Sequence, residues 1–202
     1  MHKKAALLLA PGFEEAEALI VVDILRRLKV EVDMLACQPS LDLTGYWGIS
    51  VRADAPLEAC AEALYDAVIL PGGPQGARNL GANPAVLEFI RRQQAAQGWI
   101  CSICSAGAHV LAANGLLQGR QYVCSGDAYK LYADGEYRDQ PIVEDARFLT
   151  GKGLGYAFEF ALAIGVRLKG PEIVRELAEH IYLTPEVVNT AICGFEPATE
   201  HI

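Results

Sequence analysis

The sequence has no run of basic residues and no apolar stretch long enough to cross a membrane. It contains 17 lysines and arginines and 25 aspartates and glutamates, which gives a formal net charge of −8. Nucleic acids and anionic membranes bind to clustered positive charge, so we expect neither as a partner. The apolar run in MHKKAALLLAPG stops at Pro11-Gly12, too early for a signal core or a membrane span. We therefore expect a first strand there and a cytoplasmic protein.

Cysteine is sparse and scattered, with six residues in a chain of 202. A chain of this size does not need disulfide staples, and we expect free thiols in a reducing compartment. Cys101 and Cys104 have the C-x-x-C spacing of a redox dithiol or half a zinc site. However, Cys101 falls inside an apolar strand pattern, and no second pair stands at metal spacing. We interpret the spacing as incidental and expect no metal.

Repeats, linkers and low-complexity segments are also missing, and apolar runs alternate along the chain between strand and helix character. A turn-rich segment over 41–51 predicts a small hairpin. The strands are too apolar to face water, which predicts an α/β three-layer sandwich with a mainly parallel sheet. The predicted strands are 4–9, 31–35, 67–70, 99–103, 121–124 and 148–149; the predicted helices are 14–28, 57–64, 84–97, 107–114, 156–166 and 170–179.

In such sheets, ligands bind beyond the carboxyl ends of the strands. Three turns that are distant in sequence, 11–17, 71–77 and the turn at Cys104, are therefore expected to meet. The stretch ICSAGA places Cys104 between a strand and a helix, with small residues Ser102 and Ala106 two positions to either side. A nucleophile elbow needs that space, and a helix N-terminus favours a thiolate. The alternative is a buried structural cysteine.

The segment PGGPQGA follows the third predicted strand. Gly72 and Gly73 allow backbone N–H groups to point inward, as an oxyanion hole requires. No G-x-G-x-x-G is present, so a dinucleotide site is not indicated. A simple tight turn is the alternative interpretation.

Three acids follow the first strand. Glu14 and Glu15 are interpreted as solvated partners of the helix macrodipole. Glu17 precedes Ile20 by three residues and Val21 by four, so it shares a side with residues expected to be buried. A carboxyl group there would have a raised pKa and could hydrogen-bond a thiolate at Cys104 while protonated. An ordinary first-turn acid is equally consistent with the spacing.

Histidine is scarce, and by residue type His109 is the first candidate for a general base among the four. His109 lies in the helix after the elbow, five residues beyond Cys104, and we expect it to point away from the site. His2, His180 and His201 lie near the termini.

Together these segments resemble the DJ-1/ThiJ/PfpI superfamily, in particular its DJ-1-like branch. The resemblance covers residues 4 to about 183. The matching segments, in family order and at family-like spacing, are APGFEEAE (10–17), VILPGG (68–73), ICSAG (103–107) and GKGLGYAFEFA (151–161).

The resemblance implies a flavodoxin-like, class I glutamine amidotransferase-like fold that forms a homodimer. It implies one domain over 1–183 and a C-terminal tail over 184–202 with no evident counterpart. Cys104 would be the reactive residue, Glu17 its protonated partner, and the N–H groups around Gly72, Gly73 and Ser105 the oxyanion site. The implied activities are glyoxalase or deglycase chemistry on small reactive carbonyls, without a cofactor, or sensing of an oxidant through a sulfinate at Cys104.

The sequence departs from the family at its histidines. Branches with a Cys-His pair carry histidine directly after the cysteine, where Ser105 stands here. The DJ-1 branch often supplies a histidine that aligns near Gly126, and none is present. Asp127, Tyr129 or Glu17 itself could substitute. Three functions therefore stay open: a carbonyl-directed enzyme, an oxidative-stress sensor that needs no base, and a module that binds a metabolite.

Overall fold

The computed structural model describes residues 2–193, apart from the side chain of Cys193. Its helices are α1 (Glu15–Arg27), α2 (Pro74–Gly81), α3 (Pro84–Ala95), α4 (Ala157–Lys169), α5 (Pro171–His180) and α6 (Pro185–Cys193). Its strands are β1 (Lys3–Leu9), β2 (Val30–Ala36), β3 (Asp42–Thr44), β4 (Ser50–Arg52), β5 (Ala55–Pro56), β6 (Ala67–Leu70), β7 (Trp99–Ile103), β8 (Gln121–Tyr122), β9 (Glu136–Tyr137), β10 (Ile142–Asp145) and β11 (Phe148–Gly151).

A seven-stranded sheet in the order β10-β11-β7-β6-β1-β2-β5 forms the centre of the molecule. Every neighbouring pair is parallel except β10 with β11. All four residues of β6 are buried, as expected for a parallel strand covered on both faces. The α/β sandwich with a mainly parallel sheet, predicted from the sequence, is confirmed.

Two apolar layers cover the sheet. α1 and α4 pack on one face, where Leu7, Ile69 and Phe160 are fully buried. α2, α3 and the segment after the elbow pack on the other, around Leu8 and Val68. Because side chains alternate along each strand, consecutive residues of β1 point alternately into the two layers.

Several elements differ from the sequence-based expectation. Residues 107–114 form a single π-helical turn, Gly107–Leu111, followed by a 3₁₀ turn, instead of an α-helix. The segment predicted as a helix over 57–64 is only a 3₁₀ turn, Leu57–Cys60. Strand β8 is two residues long and pairs with β9 outside the main sheet. Helix α2 was not predicted, since glycine and proline in PQGARNLG mask its helical pattern.

Part of the predicted tail belongs to the packed structure. Helix α6 lies against α4, and its Ala191 is fully buried in the same core cluster as α1 and α4. Residues 194–202 lie outside the described part of the chain. Within residues 2–193, none of the helices combines the length and apolar character that a membrane span requires.

Candidate active site

Cys104 follows the carboxyl end of β7 on a sharp turn. Its φ is 60°, in the left-handed region that residues other than glycine rarely adopt. The N–H of Cys104 donates to the carbonyl of Gly151 at 2.9 Å, which ties the turn to β11. A Cβ atom on Gly107 would lie 2.8 Å from the carbonyl oxygen of Val123. The small residues after Cys104 therefore permit a close approach of two backbone segments, as an elbow requires.

Glu17 is brought to the cysteine from α1. The residue is 1% exposed, and its Oε2 accepts a hydrogen bond from the N–H of Gly72 at 2.8 Å. Its carboxyl group also shares a hydrogen bond with the thiol of Cys104. Burial raises the pKa of Glu17 to about 7, against the lowering effect of these two bonds. The expectation of a buried carboxyl group beside the cysteine matches this arrangement.

Gly72 lies where Glu17 and Cys104 meet. A Cβ atom there would lie 2.5 Å from both the Cβ of Cys104 and the Oε2 of Glu17. No side chain larger than hydrogen fits between them without displacing one of the two. The N–H of Gly72 is already used by Glu17, so this residue orients the carboxyl group and is not a free oxyanion donor, contrary to the sequence-based expectation.

The pKa of Cys104 is raised to about 11, chiefly by burial and next by the negative charge of Glu17. Hydrogen bonds from the hydroxyl of Ser125 and the N–H of Ser105 act in the opposite direction. The lowered pKa expected from a helix N-terminus is not found, because burial and the charge of Glu17 outweigh these hydrogen bonds. Burial and the charge of Glu17 thus favour the thiol, and a base beside it would assist formation of the thiolate.

Of the two remaining oxyanion candidates, Ser105 contacts the cysteine directly and Gly73 has an unpaired backbone N–H among the described residues. Gly73 has a φ of 89° and packs against the turn at Gly12. Within residues 2–193, no acceptor is bound to the N–H of Gly73. The N–H of Ser105 is directed at the sulfur of Cys104. The N–H of Ser105 is thus positioned to stabilise negative charge beside the cysteine.

The two accessory candidates do not join the site. The side chain of Asp127 is 78% exposed and forms an ion pair with Lys130 at 2.9 Å. The ring of Tyr129 stacks on Tyr137, with ring centroids 3.9 Å apart. Neither is hydrogen-bonded to Cys104 in the described part of the chain.

Ser125 is the site residue that the sequence did not reveal. Its hydroxyl is hydrogen-bonded to the sulfur of Cys104, and its N–H donates to the carbonyl of Cys104 at 3.3 Å. It directly precedes Gly126, the position near which the resemblance places a histidine. In the sequence, the only indication of Ser125 is that it neighbours Gly126, in a segment expected beside the elbow.

His109 lies away from the cysteine, as expected. Its ring is buried, and its Nδ1 lies 2.9 Å from the hydroxyl of Tyr132. Burial, and then the charge of Arg78, lowers the pKa of His109, so the neutral ring is favoured near neutral pH.

Glu15 is not the solvated acid that the sequence suggested. It is 3% exposed, and its Oε1 accepts the N–H groups of Trp47 at 2.8 Å and Ile49 at 3.2 Å. The β3–β4 hairpin covers it, which no local pattern in α1 indicates. Glu14 instead caps α1 by accepting the N–H of Glu17 at 2.6 Å.

Cys101 takes no part in a dithiol. It is buried within β7, and both it and Cys104 are free thiols. Burial raises the pKa of Cys101 well above its usual range. In the described residues there is no group of three or more His, Cys, Asp or Glu side chains that could hold a metal ion.

The mainly parallel sheet, the cysteine on a sharp turn after a strand and the buried glutamate beside it define a class of α/β proteins. The model of the DJ-1/PfpI family matches residues 3–166, and the chain belongs to this family. The resemblance seen in the sequence is thus confirmed.

Individual relatives agree with this assignment. Protein dj-1beta of Drosophila melanogaster is 34% identical over 182 residues, covering 89% of this chain and 96% of its own. The glutathione-independent glyoxalase DJR-1.2 of Caenorhabditis elegans is 33% identical over 185 residues, covering 90% and 97%. The crystal structure of a mutant of the DJ-1 superfamily protein STM1931 from Salmonella typhimurium has a TM-score of 0.89 and 55% identity, covering 90% of this chain and 99% of that one.

Proposed function

We propose that this protein is a cysteine-dependent enzyme that acts on small reactive carbonyl compounds, in the manner of a glyoxalase or deglycase. The observation that carries the proposal is the buried carboxyl group of Glu17, with a pKa of about 7, hydrogen-bonded to the thiol of Cys104. A group with that pKa can both take and return a proton near neutral pH. A relative described as a glutathione-independent glyoxalase supports the same reaction class.

The first step needs only the groups in the site. The carboxylate of Glu17 takes the thiol proton of Cys104, and the sulfur attacks the carbonyl carbon of the substrate. The electron pair of the C=O bond moves to oxygen, where the N–H groups of Gly73 and Ser105 can stabilise the charge. Protonation of that oxygen by Glu17 gives a neutral hemithioacetal. With methylglyoxal, a hydrogen then moves from the former aldehyde carbon to the ketone carbon, which leaves a lactoyl thioester on Cys104. Water cleaves the thioester C–S bond, which releases lactate and restores the thiol, so no external oxidant or reductant is needed.

Turnover of methylglyoxal to lactate by the purified protein tests this proposal. We expect Cys104→Ser to abolish the activity and Glu17→Gln to lower kcat by about 10²–10⁴-fold, the usual contribution of a positioned acid–base group. Cys37→Ser, at a half-buried cysteine outside the site, is the matched control and should keep the wild-type rate. Equal lactate formation by the wild type and Cys104→Ser would refute the proposal of a cysteine-dependent enzyme.

A second function, sensing of an oxidant, is favoured by the donors around the sulfur. Two equivalents of a peroxide would convert the thiol to a sulfinate and leave two equivalents of the alcohol or water. The N–H of Ser105 and the hydroxyl of Ser125 are placed to bind the sulfinate oxygens. Under this alternative, mass spectrometry shows two added oxygens on Cys104 at low peroxide, while methylglyoxal is not consumed.

A further inference from the structure

A cavity of about 370 Å³ opens at the end of the sheet opposite Cys104. It lies beside Gly98, which precedes β7, and Phe148, which begins β11. Cys104 follows the other end of β7. Because β7 has five residues, the cavity and the thiol are roughly 17 Å apart along the strand. The two sites are therefore separate.

The cavity has a mixed lining, in which positive and neutral polar residues stand beside the apolar Ala95, Ile100, Ala146 and Phe148. Three arginines, Arg91, Arg120 and Arg147, share it with the amide side chains of Gln94, Gln97 and Gln118. No aspartate or glutamate is among its lining residues. The charge of the lining is therefore positive, although the formal net charge of the protein is −8.

These three arginines also form no ion pair with a carboxylate among the described residues. Six of the other arginines form ion pairs with carboxylates: Arg26, Arg27, Arg52, Arg92, Arg138 and Arg167. Within residues 2–193, no carboxylate oxygen lies within ion-pairing distance of Arg91, Arg120 or Arg147. Three arginines that line one cavity without a neutralising carboxylate make it locally positive, and a bound anion would be attracted to it.

Two of the three guanidinium groups are held in place. Arg120 lies over the ring of Phe148, 5.2 Å from its centroid, and donates to the carbonyl of Leu117 at 2.8 Å. Arg147 lies over the ring of Trp99, 5.0 Å from its centroid. Stacking on aromatic faces orients the planar donors before any ligand arrives, which lowers the entropy cost of binding.

We propose that this cavity is a second binding site, for a small phosphate-bearing molecule held by Arg91, Arg120 and Arg147. Guanidinium groups match phosphate oxygens in paired hydrogen bonds, and several of them suit a dianion better than a single carboxylate. The volume lies in the range of small-molecule pockets and exceeds the needs of a bare phosphate ion. A phosphate ester of sugar size, with hydroxyl groups facing the three glutamines, fits this lining.

Isothermal titration of the whole protein with ribose 5-phosphate, inorganic phosphate and ribose tests the proposal at low ionic strength. We expect saturable binding of ribose 5-phosphate and none of ribose. Arg91→Gln and Arg147→Gln, both at exposed positions, should each weaken binding at least tenfold. Arg175→Gln, at an exposed arginine outside the cavity, is the matched control and should bind like the wild type.

The results separate this site from the cysteine. Wild-type affinity in Cys104→Ser would place the ligand away from the thiol, as proposed, whatever becomes of the carbonyl activity. Equal affinity for inorganic phosphate and ribose 5-phosphate would support the site and identify the phosphate group alone as the recognised element. No saturable heat with either phosphate compound, or unchanged binding in both Arg91→Gln and Arg147→Gln, would overturn the proposal.

Discussion

The carboxylate of Glu15 holds the turn of the β3–β4 hairpin through the N–H of Trp47, 2.8 Å from its Oε1. The N–H of Ile49 binds the same oxygen at 3.2 Å. One buried acid at the start of α1 thus fixes a segment more than thirty residues away. Its neighbour Glu17, two positions on, faces Cys104 instead.

Replacing Glu15 with alanine should loosen this hairpin. The change leaves two backbone N–H groups without their acceptor, which we expect to lower the free energy of unfolding by about 1–3 kcal/mol. Urea denaturation measures the loss. Glu58→Ala, at an exposed acid, serves as the control and should change stability little. A Glu15→Ala protein as stable as the control would show that the hairpin does not depend on this carboxylate.

The stability of the protein should fall as the pH rises from about 4.5 to about 7. Burial raises the pKa of Glu17 from an ordinary 4.5 to about 7, so between these values the folded state holds a proton that the unfolded state has lost. The shift corresponds to on the order of 3 kcal/mol, present below pH 4.5 and lost by about pH 7. Denaturation at pH 5 and pH 8 should show this difference in the wild type. Glu17→Gln should remove most of it; an unchanged difference would mean that other groups cause it.

The thiol of Cys104 should titrate well above neutral pH. Its pKa of about 11 reflects burial and then the charge of Glu17, so Glu17→Gln should lower it by removing that charge. Thiolate absorbance near 240 nm, corrected with Cys104→Ser, measures the titration. A wild-type pKa below the ~8.5 of a free thiol would contradict this account and restore the thiolate expected from the sequence.

Alanine at position 72 should damage the site more than the fold. The added Cβ would meet Cys104 and Glu17 at 2.5 Å, and overpacking of this kind costs about 1–3 kcal/mol. We expect carbonyl turnover to drop at least tenfold, with a displaced titration of Cys104. Gly155→Ala, where a Cβ meets nothing within 4 Å, is the control. Normal turnover in Gly72→Ala would show that Glu17 and Cys104 need not touch.

The sequence predicted the sheet well because apolar strands and helices alternate at distinct periods. The spacing of Glu17 to Ile20 and Val21 made the buried side of α1 one of two interpretations, and the structure shows that Glu17 is buried. Glu15 and Ser125 could not be assigned in this way. Their surroundings come from the hairpin and from the segment after β8, which pack against the site only in three dimensions. The raised pKa of Cys104 likewise depends on burial that local sequence does not reveal.

The backbone at Cys104 also restricts which nucleophiles evolution could place there. At a φ of 60°, a side chain branched at Cβ collides with its own backbone, so threonine and valine are strongly disfavoured. Serine and cysteine, with a single heavy atom on Cβ, tolerate the strain. Serine and cysteine could therefore replace each other at this position during evolution. A threonine nucleophile would have required a different conformation of the turn.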